Sequence, residues 1–320
     1  GIFDWVGWMV TQPASFLFAI PAIGLFAEAM PITFNRRLPA RGVMFAGLAL
    51  IGTAALAAVT QQNIQGLPWA GSELSTDDLG EKAQDLVPYF LFNVLPVIGI
   101  VLVALIALLC ARPDGEIKVN ITPGFVFGFL GFGMVLVGMV GNLLYAIDDL
   151  GLQGTVFEEA TLVYVVYGAA IGGMGAAIHW GPKLWGPAAP TSKAAPLAML
   201  AVIGTVLAAF PLYIAGFLDQ PAGVVYDDGD LSVWNILSTI GHGVMALTVI
   251  AFVGLLVSTN RNGDDDQPVD DPWDGQTLEW TTTSPAPRDN FVDVPVVHSA
   301  EPLLDLKQAG SSATTDRSNA

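Results

Sequence analysis

Cysteine is nearly absent: the 320-residue chain has one, Cys110, so an internal disulfide is excluded. Charge is scarce as well, at 13% of residues, and basic side chains are the scarcer kind, with 12 Lys and Arg against 29 Asp and Glu. A formal net charge of -17 argues against nucleic acid as a partner and for solvated acidic faces or a basic partner. No basic leader precedes the first apolar run and no small-residue cleavage site follows it, so no signal peptide is expected. The chain enters apolar sequence almost directly after Gly1, as a piece of a longer protein would.

Apolar sequence fills the space left by charge. Apolar residues make up 53% of the chain and the mean hydropathy is +0.57, outside the range of a soluble domain of this size. A hydrocarbon core needs ~20 apolar residues per helix. Runs of that kind recur at 5–32, 40–62, 87–111, 121–147, 158–181, 194–218 and 232–258. They are continuous rather than alternating, so helices satisfy the backbone inside the bilayer. The expectation is an all-α integral membrane protein: a bundle of seven spans over 1–258, then an acidic, partly disordered tail over 259–320.

Basic residues set the orientation, because they stay on the cytoplasmic side. Arg36, Arg37, Arg41, Arg112, Lys118, Lys183, Lys193 and Arg261 follow the odd-numbered spans, whereas the opposite loops hold only Lys82 among several aspartates and glutamates. A multi-pass protein of a bacterial-type cytoplasmic membrane, with its tail in the cytoplasm, is expected. Low hydrophobicity argues against a packed tail domain, yet Trp273, Trp280 and Phe291 are suited to docking along a protein surface. The last ~12 residues are expected to be disordered.

Particular residues then narrow the reading. The first span carries Gln12-Pro13-Ala14-Ser15-Phe16 and, deeper, Glu28, an intramembrane acid placed to reach water near the interface. The second ends in Thr60-Gln61-Gln62. No lysine occurs between Val87 and Leu109. The fourth is rich in glycine, with Gly124, Gly128, Gly131, Gly133, Gly138 and Gly141 giving small-xxx-small spacings that let helices approach. The fifth opens with Glu158 and Glu159 and closes with Ile178-His179-Trp180, Pro182 and Gly186; there His179 is expected to cap and position the helix. Ala209-Phe210-Pro211 with Gly216, and then Trp234-Asn235 with Ser238 and Gly241, mark the last two spans. His242 is expected to be a packed or hydrogen-bonded histidine.

These segments resemble helices six to twelve of subunit I of the heme-copper oxidases, from Ile2 to about Leu306. The tail elements Thr277-Leu278-Glu279-Trp280 and Ser284-Pro285-Ala286-Pro287 fit that resemblance too. It implies oxygen reduction with proton pumping, heme and copper as cofactors, and other oxidase-type membrane subunits and the lipid bilayer as partners. It also implies specific ligand positions. Gln12, Gln61 and Gln62 stand where the family has the three copper-binding histidines, and Phe16 where it has the cross-linked tyrosine. Thr161 and Val163 stand at the two heme-binding histidines; a one-residue slip puts Ala160 and Leu162 there instead. The lysine of the family's proton channel is missing, and Ala222 and Gly223 replace its propionate-pairing arginines.

A glutamine amide is a poor copper ligand, and heme iron needs an imidazole, thiolate, thioether or phenolate. No cofactor is therefore expected, and the ligand positions read as vestigial. Three functions remain in view. One is a catalytically inactive subunit I homologue with a structural or assembly role in a respiratory complex. Another is a fragment of a terminal oxidase that takes part in electron transfer to oxygen. The last is a transporter built on the vacated cavity, with Glu158 and Glu159 as its polar lining.

Overall fold

A computed structural model describes residues 2–54, 87, 90–112, 119–145, 150–262, 269–289, 291 and 296–309; for 3–16, 92, 93 and 262 it describes the backbone alone. The helices in chain order are α1 (Ile2–Thr33), α2 (Arg41–Gly52), α3 (Leu95–Leu108), α4 (Pro123–Tyr145), α5 (Phe157–Trp185), α6 (Thr191–Phe217) and α7 (Ser232–Asn262), followed by a short α8 over 302–309. A π-helical turn, Phe90–Val94, leads into α3. Pro96 has no N–H to return to the preceding turn, which accounts for the widening there. Among the described residues there is no strand, only an isolated bridge between Thr155 and Pro221.

Among the described residues four helices, α4 to α7, are long and apolar enough to cross a membrane. Leu17–Thr33 of α1, α2, and Leu95–Ala111 are shorter apolar helices. The spans expected at 40–62, 87–111 and 121–147 lie partly outside the described residues, as does the end of the tail from 310 onward. At the last expected span the helix α7 runs from Ser232 to Asn262.

Lipid gives helices no hydrophobic drive to associate, so close van der Waals packing must hold them. Glycine provides it here. A Cβ placed on Gly131 of α4 would lie 2.7 Å from the Gly168 carbonyl of α5, and one on Gly168 would lie 2.8 Å from the Gly131 carbonyl. Gly172 meets Ala22 of α1 in the same way, and Gly241 of α7 abuts the Ala208 backbone of α6. As a result α5 packs on α1, α4 and α6 and lies at the centre of the bundle, with α7 reached mainly through α6.

The tail turns back onto one end of the bundle. Trp273 and Trp280 are buried in one core cluster with residues of α4 to α7, and Phe291 is half-buried. Lys183, near the end of α5, donates to the carbonyls of Asp270 at 2.7 Å and Thr282 at 2.6 Å and lies over the Trp280 ring. Beyond this inner segment, Arg37 pairs with Glu301 and Asp305, Arg41 with Glu301, and Lys307 with Asp271 and Asp274. Part of the tail's acidity is thus met by basic residues of the same chain.

Candidate cofactor site at the start of the central helix

The first turns of α5 are where the resemblance places iron ligands, and the structure gives these residues other partners. Thr161 is buried; its hydroxyl donates to the Phe157 carbonyl at 3.2 Å and lies 3.3 Å from the Tyr213 hydroxyl of α6. Tyr213 reaches it by inserting its ring between Phe157, with centroids 4.4 Å apart, and Tyr164, 5.4 Å away and stacked. Space for that hydroxyl comes from Gly141 of α4: a Cβ there would collide with the Tyr213 hydroxyl and sit 2.8 Å from Thr161 Oγ1.

Val163, two residues on and so roughly 200° round the helix, is half-buried and has no donor atom. In the alternative register Ala160 packs against Val156, Leu212 and Ala215, and Leu162 is half-buried and equally apolar. Beside Tyr213 runs an apolar groove of about 490 Å³ between α4 and α6, lined by Val137, Val140, Phe210 and Phe217 among others.

The two glutamates at this end go separate ways. Glu158 is half-buried and accepts a hydrogen bond from Tyr145 of α4 at 3.1 Å. Glu159 is exposed and accepts from the Gly223 amide at 2.8 Å. Gly223, at φ +73°, and Ala222 belong to the loop between α6 and α7, and the Ala222 amide in turn bonds the Gly154 carbonyl at 2.8 Å. Where the resemblance calls for guanidinium groups, this loop is fastened to α5 through its backbone.

Of the copper positions, Gln12 and Phe16 lie on α1 where the backbone alone is described, and Gln61 and Gln62 lie outside the described residues. Among the described residues no three His, Cys, Asp or Glu side chains come together as a metal-holding group. The described donors do not fit heme iron: one candidate ligand is a threonine hydroxyl committed to a helical carbonyl, and the other positions are aliphatic.

Two histidines of the bundle, His242 and His179, have structural partners. His242 accepts or donates at 2.6 Å to the Tyr167 hydroxyl and links α7 to α5. His179 does not cap α5, which ends six residues later with Gly186 beyond it. It is fully buried, its carbonyl accepts from the Trp273 indole at 2.8 Å, and its ring meets Trp180 and Trp280 edge-on. Its role is to seat the tail. Glu28 is half-buried and takes a 3.4 Å hydrogen bond from Thr277 of the tail.

Tyr213 and Gln220 were not singled out by sequence, and Asn235 was named there without its partner. Gln220 and Asn235 exchange two side-chain hydrogen bonds at 2.9 and 3.0 Å and tie the start of α7 to the end of α6. A tyrosine three residues after Phe210 in an apolar helix, matched by a glycine on α4, was the available signal for the first.

The fold and these contacts define a multi-pass, all-helical membrane protein held together at glycine-lined helix crossings. No protein-family model matches the chain. It is 28% identical over 319 residues to cytochrome c oxidase subunit 1 of Bacillus subtilis, covering 98% of this chain and 49% of that protein. Similarity to the putative cytochrome c oxidase subunit 1-beta of Streptomyces avermitilis is 29% over 318 residues, covering 93% and 51%. With subunit 1 of Thermostichus vulcanus it is 27% over 303 residues, covering 92% and 51%. The chain is a heme-copper oxidase subunit I-like membrane protein, and it spans about half the length of the curated relatives it matches.

Proposed function

We propose that this chain is a catalytically inactive subunit I homologue with a structural or assembly role in a respiratory membrane complex. The carrying observation is the Thr161–Tyr213 contact over Gly141, which puts side chains and a committed hydroxyl at a position where the resemblance requires an open imidazole. Glutamine at Gln12, Gln61 and Gln62 supports the same reading for copper, and Phe16 for the missing phenol.

The retained motifs agree with a scaffold. Asn235 pairs with Gln220, Ser238 donates to the Ala208 carbonyl at 2.7 Å, and Gly241 admits the α6 backbone, so these three motif residues have packing functions. In this reading the chain crosses a bacterial-type cytoplasmic membrane seven times with its tail in the cytoplasm. Its partners are other oxidase-type membrane subunits and the lipid bilayer. The test is a pyridine hemochrome and copper assay, with oxygen uptake, on the purified complex. Heme and copper absent from this subunit are expected; one heme per chain with oxygen consumption overturns the proposal.

A further inference from the structure

The tail is held by two kinds of contact that physical chemistry treats differently. The inner segment, 269–289, is fixed by burial: Trp280 is 2% exposed, Trp273 is 5% exposed, and Lys183 is enclosed by tail carbonyls. The Ala286 amide bonds the Lys183 carbonyl at 2.9 Å, and the Gln276 side chain bonds the Pro31 carbonyl at 3.0 Å. None of these depends on a pair of exposed charges.

The outer segment, 296–309, buries Glu301, Pro302 and Leu304, is hydrogen-bonded to the Gln276 carbonyl through the Leu303 and Leu304 amides, and is otherwise held by ionic contacts. Arg37 reaches Ser299 at 3.0 Å, Glu301 at 3.4 Å and Asp305; Arg41 lies 3.6 Å from Glu301; Lys307 lies 2.7 Å from Asp271. The Arg37 side chain is 41% exposed and that of Lys307 34%. The Arg37–Asp305 pair and the Lys307 pairs are partly open to solvent, so each contributes little and is screened by salt, whereas Glu301, its side chain 9% exposed, is screened less.

We infer that residues 296–309 form an ionic latch on the Arg37–Arg41 corner between α1 and α2, one that opens by itself while the inner segment stays docked. The latch is a competitive occupant: while Glu301 and Asp305 are seated, the two guanidinium groups are taken up by the chain's own acidic helix. Ionic strength controls this contact, and apolar burial controls the inner one.

Hydrogen exchange on the full chain in detergent or nanodiscs separates the two. The reporters are the Leu303 amide, bonded to the Gln276 carbonyl at 3.1 Å, and the Asp305 amide, bonded to the Glu301 carbonyl at 3.1 Å, against the Trp280 amide on Thr277 at 3.2 Å. Raising NaCl from about 50 mM to about 1 M is expected to speed exchange at Leu303 and Asp305 roughly tenfold and to leave Trp280 unchanged. Arg37→Gln with Arg41→Gln is expected to do the same at low salt. Loss of protection at all three amides together, or no response at any of them, overturns the latch.

Discussion

Substituting Gly141→Ala probes the candidate site most directly, because the whole arrangement depends on the absence of a side chain there. The added methyl would run into the Tyr213 hydroxyl, and would lie 2.7 Å from the Tyr213 ring carbon that carries it and 2.8 Å from Thr161 Oγ1. Overpacking of this kind costs about 1–3 kcal/mol. Tyr213→Phe alone should cost only about 0.6–1.5 kcal/mol, because Thr161 keeps its bond to the Phe157 carbonyl when the tyrosine hydroxyl is gone. In the double variant the worst overlap is removed while the contacts with the ring carbon of residue 213 and with Thr161 Oγ1 persist. The two losses should therefore not add, and the double variant should be more stable than their sum by roughly 1 kcal/mol. The assay is a double-mutant cycle of unfolding free energies in mixed micelles. Additivity within about 0.5 kcal/mol would refute the reasoning, since it would mean that the hydroxyl does not occupy the space above Gly141.

Other consequences can be measured alongside it. Trp280→Ala should cost about 3–5 kcal/mol of tail docking, seen as protease cleavage in 269–289 with α4–α7 still protected; equal loss of both would contradict separate docking. Gly241→Leu should break the α6–α7 contact and lower the thermal midpoint more than Gly243→Leu, whose position has open space around it. The outer latch should also answer to pH. The hydrogen bond from Ser299, and then that from Arg37, hold the Asp305 carboxyl below its ordinary value of 3.8. Its contribution is therefore complete above 3.8 and lost as pH falls through the lower folded value. For Lys307, partial burial works downward, but hydrogen bonds to Asp271 and Asp274 outweigh it and raise the ammonium above 10.5. That contribution is complete below 10.5 and lost as pH rises through the raised value. Exchange at the Leu303 amide across the acid and alkaline limits checks both signs.

Sequence composition was enough to give the class. Continuous apolar runs with almost no charge leave helices in a membrane as the solution for the backbone, and the fold over the described residues is all-helical with four apolar helices of spanning length. Glycine spacing in α4 pointed to close packing, and the partners of Gly131 on α5 turn out to be Gly168 and Gly172, those of Gly138 Thr161 and Val165. Residue types at the ligand positions were also legible one by one, because a valine or a threonine is a poor iron ligand in any fold.

What occupies those positions needed three dimensions. Tyr213 meets Thr161 across 52 residues of sequence, and Arg37 meets Asp305 across 268; no local pattern carries such pairings. The expected common role of Glu158 and Glu159 shows the same limit, since adjacent positions on a helix point about 100° apart and take partners from different elements. His179 looked like a helix cap because it stands near Pro182 and Gly186, whereas burial and the two tail tryptophans decide that it seats the tail. The sequence by itself determined a helical membrane chain and the donor types at the positions where the resemblance places ligands, because hydropathy and donor type are properties of single residues and short runs. Only the tertiary structure decided what fills the space near Thr161 and what holds the tail, because both depend on which distant side chains the helix crossings bring within contact.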